Sequence, residues 1–113
     1  MIPKLIAARG LFPRAGMPAL AALALALAAT GAGAADVQRG ASLYKTHCAV
    51  CHGPDGTPTI PSAPNFRRFD TLLRPDAQLL QTIRAGRGMM PSFMGVLKDR
   101  EILDVIAYLR TLS

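Results

Sequence analysis

The sequence predicts an all-α domain that follows an N-terminal segment outside the fold. Three segments after residue 35 carry apolar residues at the three- and four-residue spacing of helices, and no stretch among them alternates like a β-strand. A chain of 113 residues is long enough for one small domain only. We therefore expect a single helical domain over residues 36–113.

The first 35 residues have the composition of a secretory signal peptide. Lys4, Arg9 and Arg14 are followed by the apolar run ALAALALALAA and then by small residues, and no acidic residue occurs before position 36. A basic, an apolar and a small-residue region in this order are typical of signal peptides. The apolar run is shorter than the roughly 20 residues that span a bilayer, so no stable membrane anchor is expected. The predicted location of the mature protein is the periplasm.

Cleavage is predicted after Ala35, with cleavage after Ala34 as the alternative, because small residues precede both positions. The mature chain would keep ten of the thirteen basic residues and all seven acidic ones, a formal charge of 10 − 7 = +3. It has few aromatic residues and no basic run longer than Arg67-Arg68. Nucleic acid binding is therefore not expected.

The first predicted helix begins at a cap, Asp36, and ends near His47. Gly40 and Tyr44 lie on one face of it, four residues apart. A glycine inside a helix costs about 1 kcal/mol relative to alanine, so its presence asks for a reason. A second helix crossing closely at Gly40 would supply one.

Directly after this helix, the stretch THCAVCHGPDG holds both cysteines and both histidines of the chain. Cys48, Cys51 and His52 form C-x-x-C-H. A disulfide would close a very short loop, a thioredoxin-like pair needs a βαβ unit, and a zinc site needs a second, distant pair of ligands. Covalent haem attachment remains, because two thiols at this spacing reach the two vinyl groups of a porphyrin and the adjacent histidine can bind iron. The predicted cofactor is one haem c attached through Cys48 and Cys51.

Two further helices are predicted towards the C-terminus. One begins with Pro75 as its first residue and ends at Ala85, before Gly86. Its predicted buried stripe consists of Leu79, Leu80 and Ile83. The last helix is predicted over Asp99 to Leu112, and either Asp99 caps it or its first turn frays, because Lys98 precedes Asp99. The stretch between residues 53 and 74 carries four prolines and no periodicity, and a haem would give such a loop something to pack against.

These motifs resemble the class I cytochrome c family, and the resemblance covers nearly all of residues 36–113. CHGPDGT continues as the family does after its attachment motif. The implied fold is three main helices and loops wrapped around one covalently bound haem. The resemblance implies that the carbonyl of Pro64 accepts a hydrogen bond from Nδ1 of His52, an iron ligand. It also implies that Met90, in MPSF, is the second iron ligand, and that the first and last helices cross at Gly40 and Tyr44.

The other methionines, the second histidine and the tyrosines are expected to have packing or surface positions and no part in the chemistry. Met89 and Met94 are expected to fill gaps in the packing. His47 is a competing sixth ligand, but its expected place is the protein surface. Tyr44 and Tyr108 are expected to pack in the core.

The predicted function is periplasmic transfer of one electron between donor and acceptor proteins by the Fe(III)/Fe(II) couple, without enzymatic activity. Histidine and methionine together saturate the iron and leave no site for a substrate. The partners are expected to bind transiently, the protein being a monomer or a small subunit. One alternative is a haem subunit of a larger exported dehydrogenase, and another is a ligand-binding or peroxidatic haem protein with an open sixth site.

Several basic residues are candidates for steering acidic partners towards the haem edge. They are Arg67, Arg68, Arg84, Arg87 and Lys98. Arg67 or Arg87 is alternatively expected to meet the haem propionates.

Overall fold

A computed structural model describes residues 33–113, which form helices joined by turns and contain no β-strand. The all-α prediction is confirmed. The helices are α1 (Val37–His47), α2 (Ala49–His52), a 3₁₀ helix (Phe69–Leu72), α3 (Asp76–Ala85) and α4 (Asp99–Leu109). Residues Ala34–Ser113 form one compact unit. All but the last three residues of the predicted signal peptide lie outside the described part of the chain.

Helix α1 begins as predicted. The Asp36 carboxylate accepts a hydrogen bond from the backbone N–H of Arg39 at 3.0 Å, which satisfies one of the free donors of the first turn. The helix ends at His47, and Cys48 follows as its C-cap. The attachment motif therefore starts where α1 stops.

The ends of α3 and α4 differ from the prediction in detail. Pro75 is the N-cap of α3 instead of its first helical residue. The N-cap of α4 is Lys98, whose N–H donates to the Glu101 carboxylate at 2.8 Å, so Asp99 is not the cap. The predicted end of α4 at Leu112 is also wrong. The N–H of Leu112 bonds to the carbonyl three residues back, at 3.0 Å, in a turn tighter than an α-helix.

Helices α1 and α4 cross closely, as the resemblance implied. A Cβ at Gly40 would lie 2.5 Å from the carbonyl carbon of Asp104, so only glycine fits at the crossing. One turn further on, the rings of Tyr44 and Tyr108 pack with centroids 5.2 Å apart. The crossing explains why α1 tolerates a glycine in its interior.

The core consists of two apolar clusters, and each of them contains residues of α4. One contains Tyr44, Phe66, Leu72, Val105 and Leu109, and the other contains Phe93, Leu97, Ile102 and Ile106. The predicted stripe of α3 packs against them but is only half-buried. The reason is that Leu79 and Ile83 also face a large cavity. None of the helices in residues 33–113 is long and apolar enough to cross a membrane.

Candidate functional site

A cavity of about 810 Å³ lies among α3, α4 and the loops, and most of the side chains around it are apolar. All five residues predicted for the site line this cavity. They are Cys48, Cys51, His52, Pro64 and Met90. The fold thus brings together residues that are 42 positions apart in the sequence, from Cys48 to Met90.

Cys48 and Cys51 form no disulfide with each other, and both are half-buried. Cys48 caps α1 and Cys51 lies on the short helix α2, so the spacing between them is set by a single helical turn. Burial raises the pKa of the Cys48 thiol to about 11. A thioredoxin-like pair lies in a βαβ unit, and residues 33–113 contain no β-strand, so the structure disfavours that interpretation.

The structure also gives no support to the hypothesis that the C-x-x-C-H motif is a structural zinc site. Among residues 33–113, no three side chains of His, Cys, Asp or Glu gather closely enough to hold a metal ion. A structural zinc site takes four such ligands. What the two thiols and the histidine share instead is one wall of a large apolar cavity.

His52 is buried and held on two sides. Its Nδ1 lies 3.4 Å from the carbonyl oxygen of Pro64, a long hydrogen bond. The ring of Phe66 stacks on the imidazole with centroids 4.5 Å apart. Burial lowers the pKa of His52, and the Pro64 contact opposes that shift. A neutral imidazole that donates from Nδ1 has Nε2 free to bind iron.

The backbone that carries His52 is tied to α1 by Tyr44. The buried phenol donates to the Gly53 carbonyl at 2.7 Å and to the His52 carbonyl at 3.3 Å. Burial is the main cause that raises the pKa of Tyr44 to about 12, so the phenol remains a donor. Tyr44 therefore packs in the core, as expected, and also anchors the end of the attachment motif.

Gly53 ends α2 with a positive φ of 80°. A Cβ there would lie 2.8 Å from the carbonyl carbon of Thr57, so the chain turns away from the motif at a residue without a side chain. The loop then returns to α2, where the Thr59 hydroxyl donates a hydrogen bond of 2.7 Å to the Val50 carbonyl. This turn brings Pro64 back to His52.

Met90 lies in a tight turn packed on the end of α3. Arg87 and Met90 exchange two backbone hydrogen bonds, each of 3.0 Å. The turn is fixed to α3 by the Ser92 hydroxyl, which donates to the Arg84 carbonyl at 2.6 Å. Met90 is half-buried and packs against the cluster that contains Phe93.

Three expectations about neighbouring residues need correction. Met89 is 80% exposed and Met94 is also exposed, so neither fills a gap in the core. Met89 nevertheless lines the cavity, whereas Met94 does not. His47 is half-buried instead of lying on the surface, because its ring meets the edge of Phe93 at 6.1 Å. His47 also lines the cavity.

Two site contacts were not foreseen from the sequence. Phe66, which stacks on His52, was not singled out, although it stands only two residues after Pro64. The hydrogen bonds from Tyr44 to the carbonyls after Cys51 were missed as well. Each joins residues that are adjacent only after the loop has folded back on the helix.

The basic residues fall into two groups. Arg68 pairs with Asp70 at 2.8 Å, and Arg84 pairs with Asp99 at 3.2 Å. Arg67, Arg87 and Lys98 make no ion pair within residues 33–113. Of the two candidates for the haem propionates, Arg87 lines the cavity and Arg67 does not; Arg74, not predicted, lines it too.

The cavity and its lining fit a covalently held haem. Two thiols, a buried imidazole with one nitrogen free and a methionine thioether open onto a space that is otherwise mainly apolar. A flat apolar ring system of this kind would fill the gap that leaves Leu79 and Ile83 half-buried. This arrangement defines a c-type cytochrome.

Sequence comparison agrees with this class of protein. A sequence model of the family described as cytochrome c oxidase, cbb3-type, subunit III matches residues 35–109, and the chain belongs to that family of cytochrome c domains. It is a class I monohaem cytochrome c with one haem c bound through Cys48 and Cys51. A small cytochrome of this class carries electrons and is not an enzyme.

Individual relatives support the assignment. Cytochrome c6 of Thermosynechococcus vestitus is 32% identical over 92 residues, which cover 77% of this chain and 80% of the relative. Cytochrome c6 of Picosynechococcus sp. is 31% identical over 108 residues, covering 82% and 92%. The solved structure of the c-type cytochrome KustC0563 superposes with a TM-score of 0.61 and 29% identity, covering 66% of this chain and 96% of that one.

Proposed function

We propose that this protein is a periplasmic carrier of single electrons whose haem iron is bound by His52 and Met90. The observation that carries the proposal is that His52 and Met90 open onto the same cavity as the two attachment thiols. Its support is the Pro64 contact, which leaves Nε2 of His52 free, and the turn on α3 that holds Met90.

The bound haem supplies a Fe(III)/Fe(II) couple, and the polypeptide determines how that couple behaves. His52 and Met90 would hold the iron, and a histidine with a thioether ligand would favour the ferrous state. Pro64, Phe66 and Tyr44 hold His52 in one orientation. The apolar walls exclude water. Such a site accepts and releases an electron with little rearrangement.

The test is the visible spectrum of the haem-loaded ferric protein, in which a methionine sulfur on iron gives a weak band at long wavelength. The band should be present in the natural protein and absent in Met90→Ala. Met94→Ala is the matched control, because Met94 is exposed and does not line the cavity, and Met89→Ala tests the neighbouring thioether that does; both variants should keep the band. A band that survives in Met90→Ala would exclude Met90 as the ligand.

The same experiment distinguishes the open-site alternative. If haem is attached but the natural protein lacks the band, the sixth position is open or differently filled. Rapid binding of carbon monoxide by the reduced protein would then favour a ligand-binding or peroxidatic haem protein. Slow or absent binding in a protein that has the band supports the electron carrier.

We further propose that residues 1–35 are a signal peptide and that the working protein consists of residues 36–113. The support is the basic, apolar and small-residue order of the first 35 residues. Expression of the whole chain in a bacterium that matures c-type cytochromes should yield haem protein in the periplasmic fraction. Mass spectrometry of that fraction should give the mass of residues 36–113 with one haem attached. Uncleaved protein in the membrane fraction would contradict the proposal.

The second candidate function is that of a haem subunit permanently bound in a larger complex. The matching family is described as a subunit of an oxidase, and Phe69 and Leu73 are exposed apolar side chains of the loop segment before α3. Extraction under native conditions followed by size-exclusion chromatography separates the two candidates. A free carrier elutes at the size of the mature chain, whereas a subunit elutes with a larger protein.

Transient partners are proposed to be acidic proteins steered by Arg67, Arg87 and Lys98, which are three of the basic side chains that have no ion-pair partner in residues 33–113. Their attraction is screened by salt. The rate of electron exchange with such a partner should fall as the ionic strength rises. A rate that does not depend on salt would contradict steering.

A further inference from the structure

The carboxylate of Asp104 is buried where α4 meets the start of α1. Its side chain has 0% exposed surface. Oδ1 accepts the backbone N–H of Asp36 at 2.7 Å, and Oδ2 accepts Nε of Arg39 at 2.6 Å. Nε of Arg100 lies 3.7 Å from Oδ1. A single buried carboxylate thus holds the first residue of the helical domain against the last helix.

The nitrogen in this contact belongs to the residue that follows the expected cleavage site. In the uncleaved chain it is a neutral peptide nitrogen with one N–H. Hydrolysis of the Ala35–Asp36 bond adds water, leaving a carboxylate on Ala35 and an amine on Asp36. The amine takes up a proton below its ordinary pKa of about 7.7 and becomes an ammonium with three N–H donors.

We infer that Asp104 is the counter-ion of the N-terminal ammonium that processing creates at Asp36. The hydrogen bond that now joins the peptide N–H to Oδ1 then becomes charge-assisted, and such bonds are shorter and stronger than neutral ones. Removal of the leader would therefore strengthen the attachment of α1 to α4. The inference rests on the export part of the proposed function and is independent of the haem ligands.

The other charges around this nitrogen determine whether the ammonium is favoured. Asp36 and Asp104 attract it, whereas Arg39, Arg100 and the positive end of the α1 dipole oppose it. The two arginine side chains are 47% and 45% exposed, so water screens their repulsion. The Asp104 carboxylate has no such screening and is in direct contact. Its attraction should dominate.

Cleavage also changes the position of Arg100. In the described chain the Arg100 guanidinium donates to the carbonyl of Ala34, upstream of the cleavage site. Removal of residues 1–35 takes this acceptor away. The guanidinium is then free to move into solvent, away from the new ammonium.

The test uses the haem-loaded protein purified after export, with its N-terminus identified by mass spectrometry. The pKa of the α-amine is followed by NMR from the Hα of the first residue. It should rise from the ordinary value of about 7.7 to above about 8.7, a tenfold or greater preference for the ammonium in the folded protein. Since the folded pKa is raised, this stabilisation is complete below about pH 7.7 and is lost as the pH rises through the higher value.

Two variants make the result specific. Asp104→Asn should return the α-amine to its ordinary pKa. If that variant does not fold, Arg39→Gln keeps the carboxylate but removes a competing cation, so the pKa of the α-amine should rise further. As a matched control, a protein that keeps Ala35 as its first residue has a peptide N–H at Asp36 again, and its amine should titrate near the ordinary value.

Three results would overturn the inference. One is a natural N-terminus other than Asp36. Another is an α-amine at Asp36 with an ordinary pKa. The third is a raised pKa that Asp104→Asn leaves unchanged and Arg39→Gln does not increase. The spectrum that tests the haem ligands is measured on the same preparation, so failure here and failure of the electron-carrier proposal are distinguishable.

Discussion

Gly40 of α1 lies against the backbone of Asp104 in α4, with no room for a side chain between the two helices. A Cβ on Gly40 would be 2.5 Å from the carbonyl carbon of Asp104 and closer still to its oxygen. The obstacle is backbone, which cannot rotate away. This contact therefore limits how closely the first and last helices approach each other at the crossing.

Replacement of Gly40 by alanine should destabilise the protein. In a free helix the same change would favour folding by about 1 kcal/mol, but here the methyl group has to push α1 from α4, at a net cost of about 3 kcal/mol. Urea unfolding followed by circular dichroism measures the change. Ser42→Ala, at an exposed position of the same helix, should be nearly neutral. Equal stability of Gly40→Ala and the natural protein would show that the helices separate freely.

The buried Asp104 should make the protein sensitive to acid. Burial by itself would raise the pKa of Asp104, but the Asp36 N–H and Arg39 outweigh it and the pKa is lowered. Stability from this carboxylate is therefore present above its ordinary pKa of about 3.9 and is lost as the pH falls through the lower folded value.

Asp104→Asn should cost roughly 1–3 kcal/mol at neutral pH and should flatten the loss of stability that the natural protein shows below about pH 4. Thermal unfolding at a series of pH values checks both effects. Asp70→Asn is the control, because its pair with Arg68 is exposed and the change should have little effect. An unchanged acid profile in Asp104→Asn would contradict the prediction.

Tyr44→Phe should destabilise the protein by about 1–2 kcal/mol, because the Gly53 and His52 carbonyls would lose their buried donor. The ring itself would be kept, so packing should change little. Chemical denaturation provides the measurement. Tyr108→Phe is a matched control, since this half-buried neighbour makes no hydrogen bond through its hydroxyl in the described chain, and its stability should stay the same.

Arg87→Gln should lower the reduction potential of the haem by about 20 mV. The cationic side chain lines the cavity, and its removal would favour the ferric form, which carries one more positive charge. Spectroelectrochemical titration gives the potential. Arg67→Gln removes the same charge outside the cavity lining, so its effect should be smaller. If Arg67→Gln shifted the potential more than Arg87→Gln, Arg67 would be the arginine closer to the haem, and the prediction would be wrong.

Much of the fold was readable from short stretches of sequence. The N-cap of α1 at Asp36 and the end of α3 at Gly86 were both predicted correctly. Each of these features depends only on residues within one helical turn of it. The end of α4 was not, because the apolar spacing continues to Leu112 while the backbone bonds change to a tighter pattern. Side-chain spacing does not distinguish these two hydrogen-bond patterns.

The burial of individual side chains was harder to predict. Met89 and Met90 are adjacent and chemically identical, yet one is exposed and the other half-buried. The difference arises from the turn that pairs Arg87 with Met90, and the direction of each side chain follows from that backbone geometry. Composition and spacing contain no information about it.

Haem attachment could be predicted from the sequence, because C-x-x-C-H is a local motif whose chemistry depends on residues within one helical turn. The surroundings of the motif could not be predicted in this way. The stacking of Phe66 on His52, the bonds from Tyr44 and the burial of Asp104 beneath Asp36 join residues between 8 and 68 positions apart. Such contacts form only when the chain folds. The local sequence around a side chain does not show which distant group it will contact, so these contacts could not be predicted.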